Sequence, residues 1–427
     1  MSLIDWSTPP VYEVYFPGQH PPGPNQLTDT FGEARVEFDK GGWSAEIEDV
    51  HGCKVQVFCM PQPTRDPSPQ VNLAWGLSDE ERTEFGAARA FWVVRTLPGD
   101  GPVLCTRKRA MRVLGDIMPL GSVGAIDLSS LRVWSKAAIG DELLTDADLD
   151  VESLYCIHAV LSEQGKAEWI HTHGLGALGG FDVDLLAPSD EAKNAAPTLI
   201  RALAYAIIEE SVVVDEPIFE LARPGGVVRM VPAVEFDAAA EARFVQLRDV
   251  RDKEHTDNRA VLCEPGSKKR SLFRRGPAKP EPSRFVRQFG GGGIAVNFST
   301  FASERMAHRA RQTLPFLNTI SEEFASLGLQ IAAKLGCPTN SGQGNEHMWF
   351  EIHSIGDRSL DATLLNQPFD IAGMKQGDRG RHPVEWLSDW MIQTPVGSIT
   401  PSHFMPIHTI REHRPKIEQM MREYREK

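Results

Sequence analysis

Hydrophobic and polar residues alternate along several short stretches of the first hundred residues, which is the pattern of strands with one buried face. Turn-forming glycine and aspartate residues separate the first three stretches, so we expect an antiparallel meander. The pair Ser78 and Glu81 has the spacing of a capping box and predicts a helix that runs to about Ala90. The predicted strands are Ala34–Phe38, Trp43–Ile47, Lys54–Cys59 and Phe91–Leu97.

Helical and strand patterns alternate through the next part of the chain. The basic stretch Thr106–Leu114 has a helical pattern, and Thr198–Glu210 has the spacing of an amphipathic helix. The acidic stretch Asp141–Glu152 lacks the ligand spacing and the central glycine of a calcium loop, so we interpret it as a solvated acidic surface. The predicted strands are Val123–Leu128, Leu154–Leu161, Ala167–His173, Ile218–Leu221 and Gly226–Val231.

The regular pattern ends between residues 264 and 293, where eight lysine and arginine residues, four prolines and six glycines occur with only two acidic residues. Such a composition is typical of a linker, and we interpret the run as a solvated hinge. A docking strip for an acidic partner or for RNA is the alternative interpretation. The linker separates the other predicted parts of the chain, which are a strand meander (1–77), a module with a histidine hairpin (78–263) and a C-terminal module (294–427).

The predicted fold class is α+β, with mixed and antiparallel sheets and packed helices before the linker. Whether the meander of residues 1–77 stands alone or joins the next module is left open. After the linker, Ser303 predicts the start of a helix that Pro315 interrupts, followed by a small bent antiparallel sheet. Its predicted strands are Leu329–Leu335, His347–His353, Ala362–Leu365 and Gly397–Thr400, and a short charged helix follows Pro415.

The C-terminal module carries several ordered sequence blocks: Glu346-His-Met-Trp349, Leu365-Asn366-x-Pro368, Gly377-Asp378 and Asp389-Trp390-Met391. Together with the preceding Thr313-Leu314-Pro315, these blocks resemble the YegJ-like bacterial family of uncharacterised domains. The resemblance implies a fold and a bacterial origin, and it implies no reaction. Acidic residues beside tryptophans are either structural hydrogen-bond acceptors or parts of a recognition patch, and the tryptophans themselves are otherwise expected in the core. The candidate binding residues are therefore Glu346, Trp349, Asp389 and Trp390.

Composition narrows the classes of partner. The formal net charge of −13 disfavours nucleic acid and anionic membranes, since both are bound by clustered lysine and arginine, and it favours a basic protein partner. The N-terminal residues do not resemble a leader peptide, and no apolar run reaches the roughly 18–20 residues of a membrane span, so we expect a cytoplasmic protein. Six cysteines without a Cys-x-x-Cys pair are expected to be reduced thiols.

The sharpest local feature is Trp169-Ile-His171-Thr-His173-Gly-Leu175. If Gln164-Gly165 forms a two-residue hairpin turn, His158 lies opposite His171, and the two-residue period of a strand brings His158, His171 and His173 to one face. Three imidazoles so placed would reach a single metal ion, with zinc the metal we expect. A three-residue turn would shift the register by one and destroy the convergence.

The spacing His171-x-His173, with Asp184 eleven residues after the second histidine, resembles the ligand pattern of the JAMM metalloproteases. The resemblance implies that Asp184 joins the two histidines as a zinc ligand and that an upstream glutamate activates water. Glu142 and Glu152 are the available glutamates. The chain departs from the family at Gly174, where a proline is expected, and at Phe181, where a serine is expected. The region from about Phe91 to Glu210 also resembles a bacterial domain of unknown function.

Three functions fit these features, and the sequence does not decide whether the protein is an enzyme. The leading interpretation is a cytosolic binding protein, such as an immunity-type or adaptor protein, because no complete catalytic set is present. The first alternative is a metal-dependent hydrolase centred on His171, His173 and Asp184, with His158 as a further ligand. The second alternative is a structural subunit of a larger assembly.

Overall fold

The computed structural model describes most of the chain, and the fold forms two compact units. Unit 1 contains Met1–Ser135 and Val151–Ser299, and unit 2 contains Lys136–Asp150 and Thr300–Lys427. Residues 136–150 therefore fold with the C-terminal part of the chain although they lie between two parts of unit 1. The described residues are 9–60, 67–74, 77–97, 103–147, 149–165, 167–188, 190–209, 219–223, 226–239, 258–265, 279–284, 295–296, 299–340, 342 and 344–425.

The first sheet of unit 1 is antiparallel, with the strand order β2-β3-β4-β5-β1-β6-β7. Its strands are β1 (Val11–Phe16), β2 (Arg35–Asp39), β3 (Gly42–Val50), β4 (Cys53–Cys59), β5 (Ala90–Leu97), β6 (Gly124–Asp127) and β7 (Val133–Ser135). The accompanying helices are α1 (Pro24–Phe31), α2 (Ser68–Leu73), α3 (Asp79–Ala87) and α4 (Val103–Ile117). The predicted meander and the predicted capping box are both confirmed, since β2, β3 and β4 pair in sequence and the Ser78 side chain accepts a hydrogen bond from the Glu81 amide.

Aromatic residues pack on both faces of this sheet, and the face opposite Tyr15 also carries a buried ion pair. The ring of Tyr15 packs against those of Phe85 and Phe91, with centroid distances of 6.0 Å to each. Arg107 of α4 lies 3.3 Å from the carboxylate of Asp127 on β6, and both side chains are almost fully buried. The basic helix predicted at Thr106–Leu114 is thus an interior helix, which explains why its basic residues are interspersed with apolar ones.

The second sheet of unit 1 is mixed, with the strand order β14-β11-β12-β13-β10-β9-β8. Only β10 and β13 pair in parallel among its described strands. The strands are β8 (Cys156–Leu161), β9 (Ala167–His173), β10 (Asp182–Leu186), β11 (Phe219–Arg223), β12 (Gly226–Pro232), β13 (Arg259–Cys263) and β14 (Ala295–Val296). Helix α6 (Asp190–Ile208) packs against β9, and helix α7 (Ala233–Ala239) packs against β12 and β13. The mixed sheet and the packed helices confirm the α+β class.

The hairpin of β8 and β9 has the predicted register but not the predicted turn. Gly165 donates its amide to the carbonyl of Ser162, so the β-turn is centred on Glu163 and Gln164. The pairing of Leu161 with Ala167 corresponds to a loop one residue longer than the predicted Gln164-Gly165 turn. A register shift of one residue follows between Val160 and Leu161, and from there inward the strands pair as a two-residue turn would have paired them. The bulge compensates for the longer turn, and His158 lies opposite His171.

Unit 2 is a six-stranded antiparallel sheet, with the order β18-β17-β16-β15-β19-β20, and helices that cover its apolar face. Its strands are β15 (Gln330–Pro338), β16 (Asn345–Ile355), β17 (Ser359–Leu364), β18 (Arg379–Pro383), β19 (Leu387–Thr394) and β20 (Gly397–Ile399). Its helices are α5 (Lys136–Leu143), α8 (Thr300–Gln312), α9 (Leu314–Glu323), α10 (Met405–Glu412) and α11 (Arg414–Arg425). The predicted helix interruption is confirmed at Thr313, before Pro315, but Ser303 lies inside α8 and does not cap it.

The acidic stretch 141–152 is not the solvated surface that we predicted. Asp141 and Asp150 are 7% and 3% exposed. The carboxylate of Asp141 lies 2.7 Å from Nε2 of His408, and Glu142 lies 3.5 Å from Arg309, so these acids hold α5 within unit 2. Charge spacing along the sequence cannot reveal such pairings, because the partners are more than 150 residues away.

Most of the predicted linker 264–293 lies outside the described residues, as do residues 1–8. The described part at 281–283 pairs with the end of β13, where Glu264 donates its amide to the carbonyl of Glu281 and Ser283 donates to Leu262. Ser283 is buried. Within the parts of the chain that are described, no helix has the length and apolar character needed to cross a membrane.

Candidate metal centre

Three histidines meet on one face of the β8–β9 hairpin. His158 lies on β8, the strand at the edge of the sheet, and is directly opposite His171 on β9. His173 follows His171 by two residues and therefore projects from the same face. Their ligand atoms all lie within 4.8 Å of one another, as the sequence predicted for these three residues.

The imidazole rings lean toward a common point. The Nε2 atoms of His171 and His173 are 3.1 Å apart. The ring centroid of His158 lies 4.8 Å from that of His173 and 5.6 Å from that of His171. A tetrahedral zinc ion with nitrogen ligands at about 2.0–2.1 Å separates two of those nitrogens by about 3.3 Å. The observed separation of the two Nε2 atoms therefore fits ligation of one ion by both rings.

Asp184, the fourth predicted ligand, faces the same side of the sheet but serves another purpose. It pairs with His171 in register, yet its Oδ1 atom accepts hydrogen bonds from Trp169 at 3.1 Å and from two nitrogens of Arg259 at 2.6 and 3.1 Å. Asp184 is fully buried and compensates the buried guanidinium of Arg259. These contacts are those of a residue that supports the cluster, and the role of Asp184 as a metal ligand stays a prediction.

Asp184 supports the position of His171 indirectly, through Trp169. The Trp169 ring stacks on the His171 ring, with a centroid distance of 3.7 Å and an angle of 19°. The indole orientation is set by its hydrogen bond to Asp184, and the carboxylate is in turn fixed by Arg259. Such outer contacts orient metal-binding histidines in proteins.

A second set of hydrogen bonds fixes the backbone between the two histidines of β9. Arg259 donates to the carbonyl of Thr172, whose hydroxyl donates to Asp182 at 2.7 Å and accepts from the Val183 amide. Burial raises the pKa of Asp182, although Arg259, Thr172 and two backbone amides oppose that shift. Residues of β10 and β13 thus fix Thr172 on β9, and with it the backbone of its neighbours His171 and His173.

Gly174 shows why the resemblance to the JAMM pattern ends after the second histidine. Its φ is +111°, which a proline cannot adopt because its ring fixes φ near −65°. A Cβ atom at this position would lie 2.7 Å from Ser130 and 2.8 Å from the Leu154 carbonyl. The chain requires a glycine where the family has a proline.

The two glutamates considered as general bases have other partners. Glu142 belongs to unit 2 and lies beside Arg309, and Glu152 forms an ion pair with Arg201 of α6. Neither belongs to the group of ligand atoms around the three histidines. The cluster therefore provides metal ligands, and neither Glu142 nor Glu152 is placed to act as the general base that the JAMM resemblance implies.

Two of the candidate binding residues of unit 2 lie together, because Trp349 and Asp389 are both directly opposite Lys334 of β15. Trp390 is fully buried in the core and donates its indole hydrogen to Thr313, so it cannot contact a partner at the surface and its assignment is corrected. Trp349 is partly exposed, with the ammonium of Lys334 5.9 Å from its ring. Asp389 accepts a hydrogen bond from the Trp390 amide, a local structural contact.

Glu346 holds a loop whose exposed aromatic residue we did not predict. Its two carboxylate oxygens accept hydrogen bonds from the amides of Phe369 and Asp370 at 2.7 and 2.8 Å. The Phe369 side chain at the tip of this loop is 97% exposed. Pro368 before it indicates only a turn, so the sequence does not predict that Phe369 is exposed.

Arg259 is a further residue of the unit 1 site that sequence reasoning missed, because no local pattern links it to Asp184.

Two family models match parts of the chain. Residues 157–263 match the family described as protein of unknown function (DUF4026) C-terminal. Residues 304–422 match the family described as uncharacterized protein conserved in bacteria (DUF2314). The first match runs from β8 to β13 and so contains the three histidines, Asp184 and Arg259. The expected resemblance to domains of unknown function is confirmed, whereas the YegJ-like name stays a prediction. No curated protein and no solved structure matches the chain.

Proposed function

We propose that unit 1 binds a divalent transition-metal ion through His158, His171 and His173. The convergence of three imidazoles, with two Nε2 atoms 3.1 Å apart, carries this proposal. Neutral imidazole is a preferred ligand of zinc, copper, iron and nickel, and zinc is the ion we expect. Only the neutral rings can bind the ion, so protonation of the histidines at acid pH should release it.

Three histidine ligands and one exchangeable position are characteristic of catalytic zinc sites, in which the ion polarises bound water. A metal-dependent hydrolase is therefore the enzymatic form of this proposal. Asp184 would act in it as a positioning residue through Trp169, rather than as the ligand that the sequence suggested. The three histidines hold the ion, and the network around Asp184 keeps His171 in place.

Metal analysis of the full chain, purified without a histidine tag, tests the proposal. We expect about one equivalent of zinc or another transition metal, and a competition titration should show tight zinc binding. Separate replacements of His158, His171 and His173 by alanine should each weaken binding strongly. His20→Ala, which removes an exposed histidine outside the cluster, is the control and should leave affinity unchanged. Retention of full affinity in all three cluster variants would contradict the proposal.

We also propose that unit 2 recognises a protein partner. This proposal keeps the leading interpretation of the sequence, a binding protein, and assigns the binding to one loop of unit 2. Phe369 exposes an entire aromatic side chain on a loop that Glu346 holds by two backbone hydrogen bonds. Further hydrogen bonds tie Asn340 to Asp370 and Ala372. Exposed aromatic residues on ordered loops are typical anchors of protein interfaces, because little side-chain entropy is lost on binding. The acidic chain favours a basic protein partner.

Affinity purification from native cells, with quantification of co-purifying proteins, tests this second role. A protein recovered with the wild type should be lost with Phe369→Ala. Phe301→Ala provides the matched control, since Phe301 is 47% exposed in the same unit but lies on helix α8. Equal recovery with both variants would count against Phe369 as an anchor.

A further inference from the structure

Four residues of the β8–β9 hairpin form a square on one face of the sheet. Cys156 lies opposite His173, and His158 lies opposite His171. Successive positions on one face of a strand are about 6.6 Å apart, and directly opposed Cβ atoms are about 4.5–5.5 Å apart. Three corners of the square carry imidazoles that lean together, and the fourth corner carries a thiol.

The thiol is too short to join the imidazoles. The sulfur of Cys156 is bonded directly to Cβ and stays near the sheet, whereas the Nε2 atom of a histidine lies on the far side of its ring. Among the described residues, the group of converging ligand atoms accordingly consists of the three histidines without Cys156. The side chain at the fourth corner therefore extends less far from the sheet than the three imidazoles.

An ion held from three corners of a square has its remaining tetrahedral direction away from the sheet and over the fourth corner. A bound divalent ion is itself positively charged, so a small anion is favoured at its remaining position.

We infer that the exchangeable coordination position lies over Cys156 and takes a small anion, with Cys156 determining access by its small size. This inference rests on the proposed metal site. It makes Cys156 a specificity-determining residue that does not touch the ion. A larger side chain at this corner would fill the space, and a longer ligating side chain would occupy the position itself.

Cobalt-loaded, full-length protein provides the test, because the visible spectrum of cobalt(II) changes when an anion enters its coordination sphere. Azide is the probe. We expect azide to change the spectrum of the wild type and of Cys156→Ala. In Cys156→His, a fourth imidazole should retain cobalt and abolish the response. Cys156→Leu fills the corner without a ligand atom, and it should retain cobalt and lose most of the azide affinity.

Ala159→His is the matched control. Ala159 neighbours His158 on the same strand but is exposed on the opposite face, so its replacement should leave the azide response unchanged. An unaltered azide response in Cys156→His and Cys156→Leu would overturn the inference, as would a cobalt-loaded wild type that does not respond to azide. Failure of the wild type to take up cobalt would instead contradict the metal site itself.

Discussion

Replacing Asp184 by alanine separates its support of the fold from its support of the metal site. The substitution removes the closer of two carboxylates from the buried guanidinium of Arg259, where the Arg259 and Asp184 side chains are 4% and 0% exposed, and leaves Asp182 at 4.0 Å. Breaking a buried pair of this kind costs about 3–5 kcal/mol, because the remaining charge has lost its closest compensation. With a urea m-value of about 2–3 kcal/mol/M, the unfolding midpoint of unit 1 should fall by about 1–2.5 M.

Hydrogen exchange measured by mass spectrometry over a urea series is the appropriate assay, since peptides from β9 and β10 report on unit 1 alone. Asp361→Ala is a matched control. Asp361 accepts two hydrogen bonds from Arg379 at 3.0 and 2.6 Å, nearly the geometry of the Asp184 pair, but this second pair is largely exposed on unit 2. Its loss should shift the corresponding unit 2 midpoint little.

Two results would refute the reasoning. One is an Asp184→Ala midpoint shift no larger than the control shift. The other is a double variant, Asp184→Leu with Arg259→Met, that is less stable than Asp184→Ala, because removing both charges should cost less than leaving one unpaired. In the folded protein, Asp184→Ala should also weaken metal binding by about 10–100-fold, since Trp169 then loses the acceptor that orients it against His171.

Four further outcomes follow from the structure. Gly174→Ala should destabilise unit 1 in thermal denaturation, because its φ of +111° and its close backbone neighbours leave no room for Cβ. Glu346→Gln should accelerate amide exchange at Phe369, since a neutral amide oxygen is a weaker acceptor than a carboxylate. Burial raises the pKa of the Cys337 thiol to about 11, so alkylation should be slow at pH 7 and should accelerate as the pH approaches that value. Trp390→Ala should destabilise unit 2 in urea denaturation by about 3–5 kcal/mol, because the indole fills the core.

Local patterns were sufficient to predict much of unit 1. The alternation in β2, β3 and β4 and the cap at Ser78 depend on neighbouring residues, and the structure confirms them. Strands β18 and β19 were missed in unit 2. Strand β18 carries arginines on a largely exposed edge, so it lacks a simple apolar alternation. In β19, the bulge where Leu335 pairs with Leu387 interrupts the two-residue period.

The candidate site shows the same division between local and distant information. The three histidines were predicted together because strand period and hairpin register are local properties, although the register arose from a longer turn and a compensating bulge. The role of Asp184 could not be predicted in this way. Its partner Arg259 follows 75 residues later, and only the parallel pairing of β10 with β13 brings the two side chains together.

This arrangement assigns different tasks to residues that a sequence pattern treats alike. A carboxylate beside two histidines is a good metal ligand only when its oxygens are available to the ion. Here Oδ1 of Asp184 receives hydrogen bonds from Trp169 and Arg259, and moving this oxygen to a metal would remove the closest acceptor of the buried guanidinium. The fold therefore engages Oδ1 of Asp184, the ligand that the spacing suggests, in other hydrogen bonds. In the proposed site, the ion is bound by His158 on the edge strand and by the two histidines of β9, and the short side chain of Cys156 would keep one coordination direction open.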